Sequence, residues 1–365
     1  MIKMNMVQKN LIMDKLNKDR LDFKNLKSVS NPNSAHAIYP YRGKISAIDA
    51  RQIISQLKTD SIILDPFCGS GTILYEAQHF GLNPIGMDNN PLAITLSLAK
   101  TQPINIKETL EHSKKLVDRA KQIDSNAVVY ESVAKYFHEK TLRQIDTLFR
   151  LREEMSNYEL GILYGAVCLS ARACNHYKWT SNSVGKIITP LRYVDFYEIY
   201  MSKLKKHAKF VNGGKKVEVI KGDARELSKF IPENTIDYVY TSPPYFDALD
   251  YTSYYARIIY ELEGVDRGII RKGLIQSVSR YKADMKLVLS EIKKVLKENA
   301  TAIFVVGDKK MKDGKIITGG EFFSEISEWK PSYIVERDYS GTTSQIWDKI
   351  NSTKRMEQIL VWKND

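Results

Sequence analysis

Two periodicities alternate along the chain. Short apolar runs rich in β-branched and aromatic residues read as strands: Ile62–Leu64, Pro84–Met87, Val217–Ile220, Ile236–Tyr240, Thr301–Val306, Tyr333–Arg337 and Gln358–Trp362. Between them, apolar positions recur at helical spacing. Ile45, Ile48, Ile53, Ile54 and Leu57 mark one helix, and Ile73, Leu74, Ala77 and Phe80 a second, with Gly81 as its stop. Leu142, Ile145, Leu148 and Leu151 share one face of a third. Strands separated by helices predict an α/β fold.

The strand ends carry the polar groups. The first closes in Asp65, the second in Asp88, the third runs into Gly222-Asp223-Ala224, the fourth reaches Ser242 and the fifth Gly307-Asp308. In doubly wound sheets such ends share the carboxyl edge, where ligands bind. An acid 23 residues beyond Asp65 suits ribose hydroxyls. Gly69 and Gly71 lie between strand and helix, so a ligand can rest on the backbone with helix amides aimed at it. No Gly-Lys-Ser/Thr follows, which excludes a P-loop.

The fourth strand ends abruptly at Thr241-Ser242-Pro243-Pro244-Tyr245. Two prolines cannot donate to a ladder, so the strand stops there, and proline biases the preceding residue towards extended geometry. The result is a stiff tip with a hydroxyl, carbonyl acceptors left free and an aromatic ring, suited to a flat base bearing an amino group. An ordinary strand-ending turn is the plainer alternative.

Net charge is +12, which points to a polyanionic partner. Residues 103–171 hold 10 basic and 10 acidic side chains, whereas 172–216 hold 10 basic against 2 acidic. That one-signed stretch interleaves Tyr177, Trp179, Tyr193, Phe196, Tyr197 and Tyr200, and makes Lys178, Lys186, Arg192, Lys203, Lys205 and Lys206 candidate phosphate contacts. It belongs to a mainly helical insertion, 103–215, between the second and third strands. By its charge this insertion is expected either to recognise nucleic acid or to act as a lid or dimer face. Residues 1–34 read as an N-terminal arm, helical or mobile. Apolar runs fall short of the roughly 18 residues a membrane span needs. The Lys-rich start lacks a signal-peptide core. Cys68, Cys168 and Cys174 form neither a ligand set nor a disulfide framework, so a cytoplasmic setting is expected.

Asp65-Pro66-Phe67-Cys68-Gly69-Ser70-Gly71-Thr72 and Ser242-Pro243-Pro244-Tyr245 together resemble the exocyclic-amino DNA methyltransferases that use S-adenosylmethionine. The resemblance covers roughly residues 35–102 and 216–365. It implies a Rossmann-like sheet of seven strands whose last hairpin is antiparallel. It also implies cofactor contacts from Tyr41 in the Tyr39–Lys44 loop, from Asp65, Phe67, Gly69, Ser70, Gly71 and Thr72, and from Asp88, Asn89, Asp223 and Ala224. Catalysis would fall to Ser242, Pro243, Pro244 and Tyr245, with no metal. The Ser form is associated chiefly with cytosine N4, so the expected activity is site-specific methylation of a flipped cytosine in double-stranded DNA, within a restriction-modification or related system with a cognate endonuclease. Adenine-N6 methylation, RNA guanine-N2 methylation and an inactive nucleic-acid-binding subunit are the rivals.

Overall fold

The computed structural model describes residues 21, 26–27, 35–41, 43, 45–125, 131–175, 191–211, 217–244, 250–253, 255–277, 279–310, 314, 316–340 and 355–365. Seven strands build the main sheet: β1 (Ile62–Asp65), β2 (Asn83–Asp88), β3 (Glu218–Lys221), β4 (Ile236–Thr241), β5 (Leu296–Gly307), β6 (Tyr333–Ser340) and β7 (Arg355–Lys363). Their order is β6-β7-β5-β4-β1-β2-β3. β1 to β5 run parallel, and β7 pairs antiparallel with both β5 and β6. The expected Rossmann-like sheet with its antiparallel final hairpin is therefore present. An eighth strand was not foreseen: Leu26–Lys27, from the arm read as helical or mobile, pairs parallel with Tyr339–Ser340.

Strand alternation sends successive side chains to opposite faces, and each face builds its own core. Leu64, Val239, Phe304 and Trp362 face one way, onto α10 (Tyr281–Val295) and α11 (Gly319–Ile326). Ile63, Tyr240, Ile303 and Val361 face the other way, onto α1 (Ala47–Ile54) and α2 (Thr72–His79). β5 starts at Leu296, earlier than its apolar run, because Leu296 already pairs with Ile236 before an irregularity in the register.

The segment between β2 and β3 contains α3 (Pro91–Thr101), α4 (Ile106–Ala120), α5 (Glu139–Phe149), α6 (Asn157–Cys174) and α7 (Phe196–Ala208). These helices share one apolar core with Ile38, Tyr39, Tyr75 and α8 (Tyr255–Glu263). The helical layer is thus continuous with the sheet's own helices. A Cβ built on Gly165 of α6 would stand 1.9 Å from the Ile38 carbonyl oxygen, which shows how closely the 35–39 turn is pressed against this layer. Three aromatics read as interleaved with the basic surface are core residues instead: Phe196, Tyr197 and Tyr200 are buried on α7. Their helical spacing turns them inward, and Tyr197 and Tyr200 place their hydroxyls against Thr147 and Ser113.

Candidate active site

Parallel strands put the ends of β1, β2, β3 and β4 on one edge, and the loops there enclose an open cleft of about 640 Å³. The glycine loop is shaped by backbone bonds: Cys68 N–H donates to Met87 O at 2.9 Å and Gly71 N–H to Cys68 O at 2.7 Å. Gly69 and Gly71 both take left-handed φ, +51° and +71°. A Cβ on Gly71 would lie 2.8 Å from Ser97 Oγ, so the loop closes onto α3 only without a side chain. Ser97 Oγ donates to Gly69 O, and Lys100 Nζ to Ser70 Oγ.

Asp88 fixes this loop from the next strand. Its Oδ2 accepts from Gly69 N–H at 2.9 Å and its Oδ1 from Asn90 N–H at 2.8 Å. Burial pushes its carboxyl up to about 6, against the opposing pull of those amides. Asp65 is buried too, and burial raises it to about 7 despite bonds from Thr241 and Phe67. Thr241 Oγ1 donates to Asp65 Oδ1 at 2.6 Å, which ties the end of β4 to the end of β1.

The residues named from sequence divide as follows. Tyr41, Phe67, Gly69, Asp88, Asn89, Asp223, Ala224, Ser242 and Pro244 all line the cleft. An adjoining pocket of about 300 Å³ shares Tyr41, Phe67, Gly69 and Ser242 with it and adds Asp65, Ser70 and Thr72. Thr72 Oγ1 is buried there without a hydrogen-bond partner. Pro243 is buried. The Pro244 carbonyl accepts from the Tyr281 hydroxyl at 2.6 Å, so α10 pins the tip. Asp223 caps the short helix that follows and accepts from Arg225 Nε at 2.9 Å. Among the phosphate candidates, Arg192, Lys205 and Lys206 are exposed, whereas Lys203 points inward and donates to Ala37 O at 3.0 Å. Tyr245, Lys178 and Lys186 lie outside the described residues, as do Tyr177 and Trp179.

Sequence reasoning missed the far wall. Tyr251, Gly273, Leu274 and Ile275 complete the cleft. Gly273 O accepts from Asn89 Nδ2 and from Arg225 Nη2, each at 3.1 Å, so two strand-end loops hold this wall. Arg225 also donates to Asp284 Oδ1 at 3.1 Å. The hydroxyl of Tyr260 donates to Asn90 Oδ1, while the buried Asn90 Nδ2 has no partner. Only the polar Asn89-Asn90 pair gave any hint of these contacts. Among the described residues, no group of three or more His, Cys, Asp or Glu side chains could hold a metal ion, and no helix is long and apolar enough to cross a membrane.

Residues 50–265, which take in β1 to β4 and the helices between β2 and β3, match the model of the UPF0020 family, described as RMKL-like, methyltransferase domain. The chain belongs to that family. The chain is 24% identical over 400 aligned positions to the type II methyltransferase M.MjaII of Methanocaldococcus jannaschii, covering 80% of the chain and 75% of the relative. It also superposes on TrmN from Thermus thermophilus with a TM-score of 0.34 and 11% identity, over 88% of the chain but 50% of that protein. The S-adenosylmethionine-dependent methyltransferase of Methanosarcina mazei gives a TM-score of 0.34 at 12% identity, over 84% of the chain and 93% of that protein. These scores are low, and the fold assignment rests on the strand order itself. An RMKL-like methyltransferase domain is an S-adenosylmethionine-dependent one.

The cleft fits that donor. Gly69 and Gly222 leave backbone bare along it, where a Cβ would press on Tyr41 at 3.3 Å and on Met87 at 3.2 Å. Phe67, Leu274 and Ile275 offer apolar surface for a flat heterocycle, Asp88 offers a carboxylate for hydroxyls, and Asn90 Nδ2 is an unused donor.

The raised Asp65 carboxyl has a consequence for stability. Its folded value, about 7, exceeds the ordinary 3.8, so the folded state holds the proton more tightly. Stability from this group is greatest below pH 3.8 and is lost as pH rises through about 7. Asp65→Asn removes the ionised form, so its stability relative to wild type should rise between pH 5 and pH 8 by about 2.5 kcal/mol, read as a higher relative melting temperature. An identical offset at both pH values would show that Asp65 is not held protonated.

Proposed function

We propose that this domain transfers a methyl group from S-adenosylmethionine to the exocyclic amino nitrogen of a base flipped out of double-stranded DNA, with cytosine N4 as the acceptor. The observation that carries the reading is that Ser242 and Pro244 of the proline-stiffened tip line the same cleft as Gly69 and Asp88. The relative named as a type II methyltransferase supports a DNA substrate, and a restriction-modification setting with a partner endonuclease follows from the same reading.

An exocyclic nitrogen is a weak nucleophile because its lone pair is delocalised into the ring. Ser242 Oγ and the Pro243 carbonyl each accept one amino hydrogen, which favours a pyramidal nitrogen with its lone pair free. Tyr245 stacks on the extruded base, a contact worth roughly 1–3 kcal/mol. When bound, S-adenosylmethionine supplies the electrophilic methyl group. Phe67, Leu274 and Ile275 would hold its adenine, Asp88 would accept from its ribose hydroxyls, and the bare backbone at Gly69 would let its tail approach. Arg225 fixes the Asp223 carboxylate, and Tyr281 and Thr241 keep the tip from drifting, so catalysis consists mainly of positioning. Arg192, Lys205 and Lys206 serve DNA phosphates, a role that Lys203, turned inward, is not positioned to share.

The test is transfer of a labelled methyl group to genomic DNA and, separately, to bulk RNA, with the products resolved as nucleosides by mass spectrometry. 4-Methylcytosine in DNA is expected, and Ser242→Ala should cut its formation by about 10²–10³-fold. 6-Methyladenine would move the acceptor to adenine, and methylguanosine in RNA would overturn the DNA reading. Asp88 gives an independent check. Its carboxyl titrates at about 6 and must be ionised to serve the ribose. Calorimetric affinity for S-adenosylhomocysteine should therefore fall about tenfold per pH unit below that value, and Asp88→Asn should be weak at every pH. A flat pH profile in the wild type would put the ribose elsewhere.

A further inference from the structure

The cleft has a lip that the proposed chemistry leaves unused. Helix α9 (Arg267–Gly273) leads directly into the wall residues Gly273, Leu274 and Ile275. On it stands Ile269, 70% exposed, the barest large apolar side chain among the described residues. A single exposed isoleucine is ordinary. Its position is what matters. Ile269 and Gly273 are four residues apart, so they share one helical stripe that runs from open solvent to the cleft wall.

Around it the chain is cationic. Residues 266–280 hold Arg267, Arg271, Lys272 and Arg280 against the single carboxylate of Asp266. That carboxylate is occupied in capping α9 by accepting from Gly268 N–H at 2.7 Å. Arg271 is 64% exposed and only loosely paired, 3.7 Å from Asp250. The helix is firmly seated. Ile270 packs against the helical core, Arg267 Nη1 donates to Thr252 O at 3.2 Å, and Asn89 and Arg225 grip the Gly273 carbonyl.

Resting on the DNA reading above, we propose that α9 is the element that enters the duplex: Ile269 fills the gap left by the extruded base while Arg271 and Lys272 hold the flanking phosphates. Charge complementarity selects the occupant, since an apolar tip set among cations suits a stacked, polyanionic duplex. A rigid mount suits the task as well, because a wedge transmits no strain to the base pair unless it is held.

The test uses the full chain with a labelled methyl donor and sheared genomic DNA, native or heat-denatured. Ile269→Ser should slow methylation of native DNA about tenfold or more, because base extrusion then loses its filler. Denatured DNA, already unstacked, should be methylated within about twofold of wild type, and Ile269→Met should restore most of the duplex rate. Arg271→Ala with Lys272→Ala should raise KM for native DNA and lower the salt dependence of binding by about 2 in slope. Equal loss on both DNA forms would overturn the wedge, as would no loss on either. A changed oligomeric state of Ile269→Ser by light scattering, with duplex methylation intact, would make this face a contact between copies and overturn it too. Failure of the wild type to methylate either DNA form would remove the DNA reading and the wedge together, whereas an active wild type with an indifferent Ile269→Ser removes the wedge alone.

Discussion

The bond between Thr241 Oγ1 and Asp65 Oδ1 joins the two halves of this site. One carboxylate, buried at the end of β1, receives the hydroxyl that ends β4 and the amide of Phe67 that opens the glycine loop. The loop that would cradle the cofactor and the tip that would meet the base are thereby fixed to one another. Burial of an acid costs free energy unless it is protonated or well bonded, and here the cost is tolerated where the donor and acceptor ends of the cleft have to coincide.

Around that join the other constraints fall into place. Asp88 clamps Gly69 from β2, and the absence of a side chain at Gly71 lets the loop sit against Ser97. Tyr281 restrains the proline tip from behind through the Pro244 carbonyl. The opposite wall is held at one carbonyl, Gly273 O, by Asn89 from the second strand end and Arg225 from the third. Each strand end therefore contributes a contact that orients a neighbouring loop, and the cleft is shaped largely before any ligand arrives.

Much of this was legible in the chain. The strands announced themselves because both faces of the sheet are covered, so apolar residues, many of them β-branched or aromatic, run through Ile62–Leu64, Tyr238–Tyr240 and Ala302–Val306. The near wall was legible because its polar residues sit at strand ends, a position readable from local pattern. The aromatics of α7 were misread because interleaving with lysine is also what an amphipathic helix looks like when its aromatic stripe faces a core. The far wall carries no local signature. Gly273 meets Asn89 across 184 positions and Tyr281 meets Pro244 across 37, and such pairings exist only once the sheet has formed. Likewise Leu26–Lys27 is too short for periodicity to register and is a strand only because β6 offers it an edge.

The account turns on donor and acceptor sharing one cleft. Crystals of the chain grown with S-adenosylhomocysteine test this directly. The ligand is expected between the Gly69 loop and the Gly273 wall, its ribose hydroxyls on Asp88 and its sulfur facing Ser242. Density for the ligand away from Asp88, or with its sulfur screened from Ser242 by protein, would contradict the account.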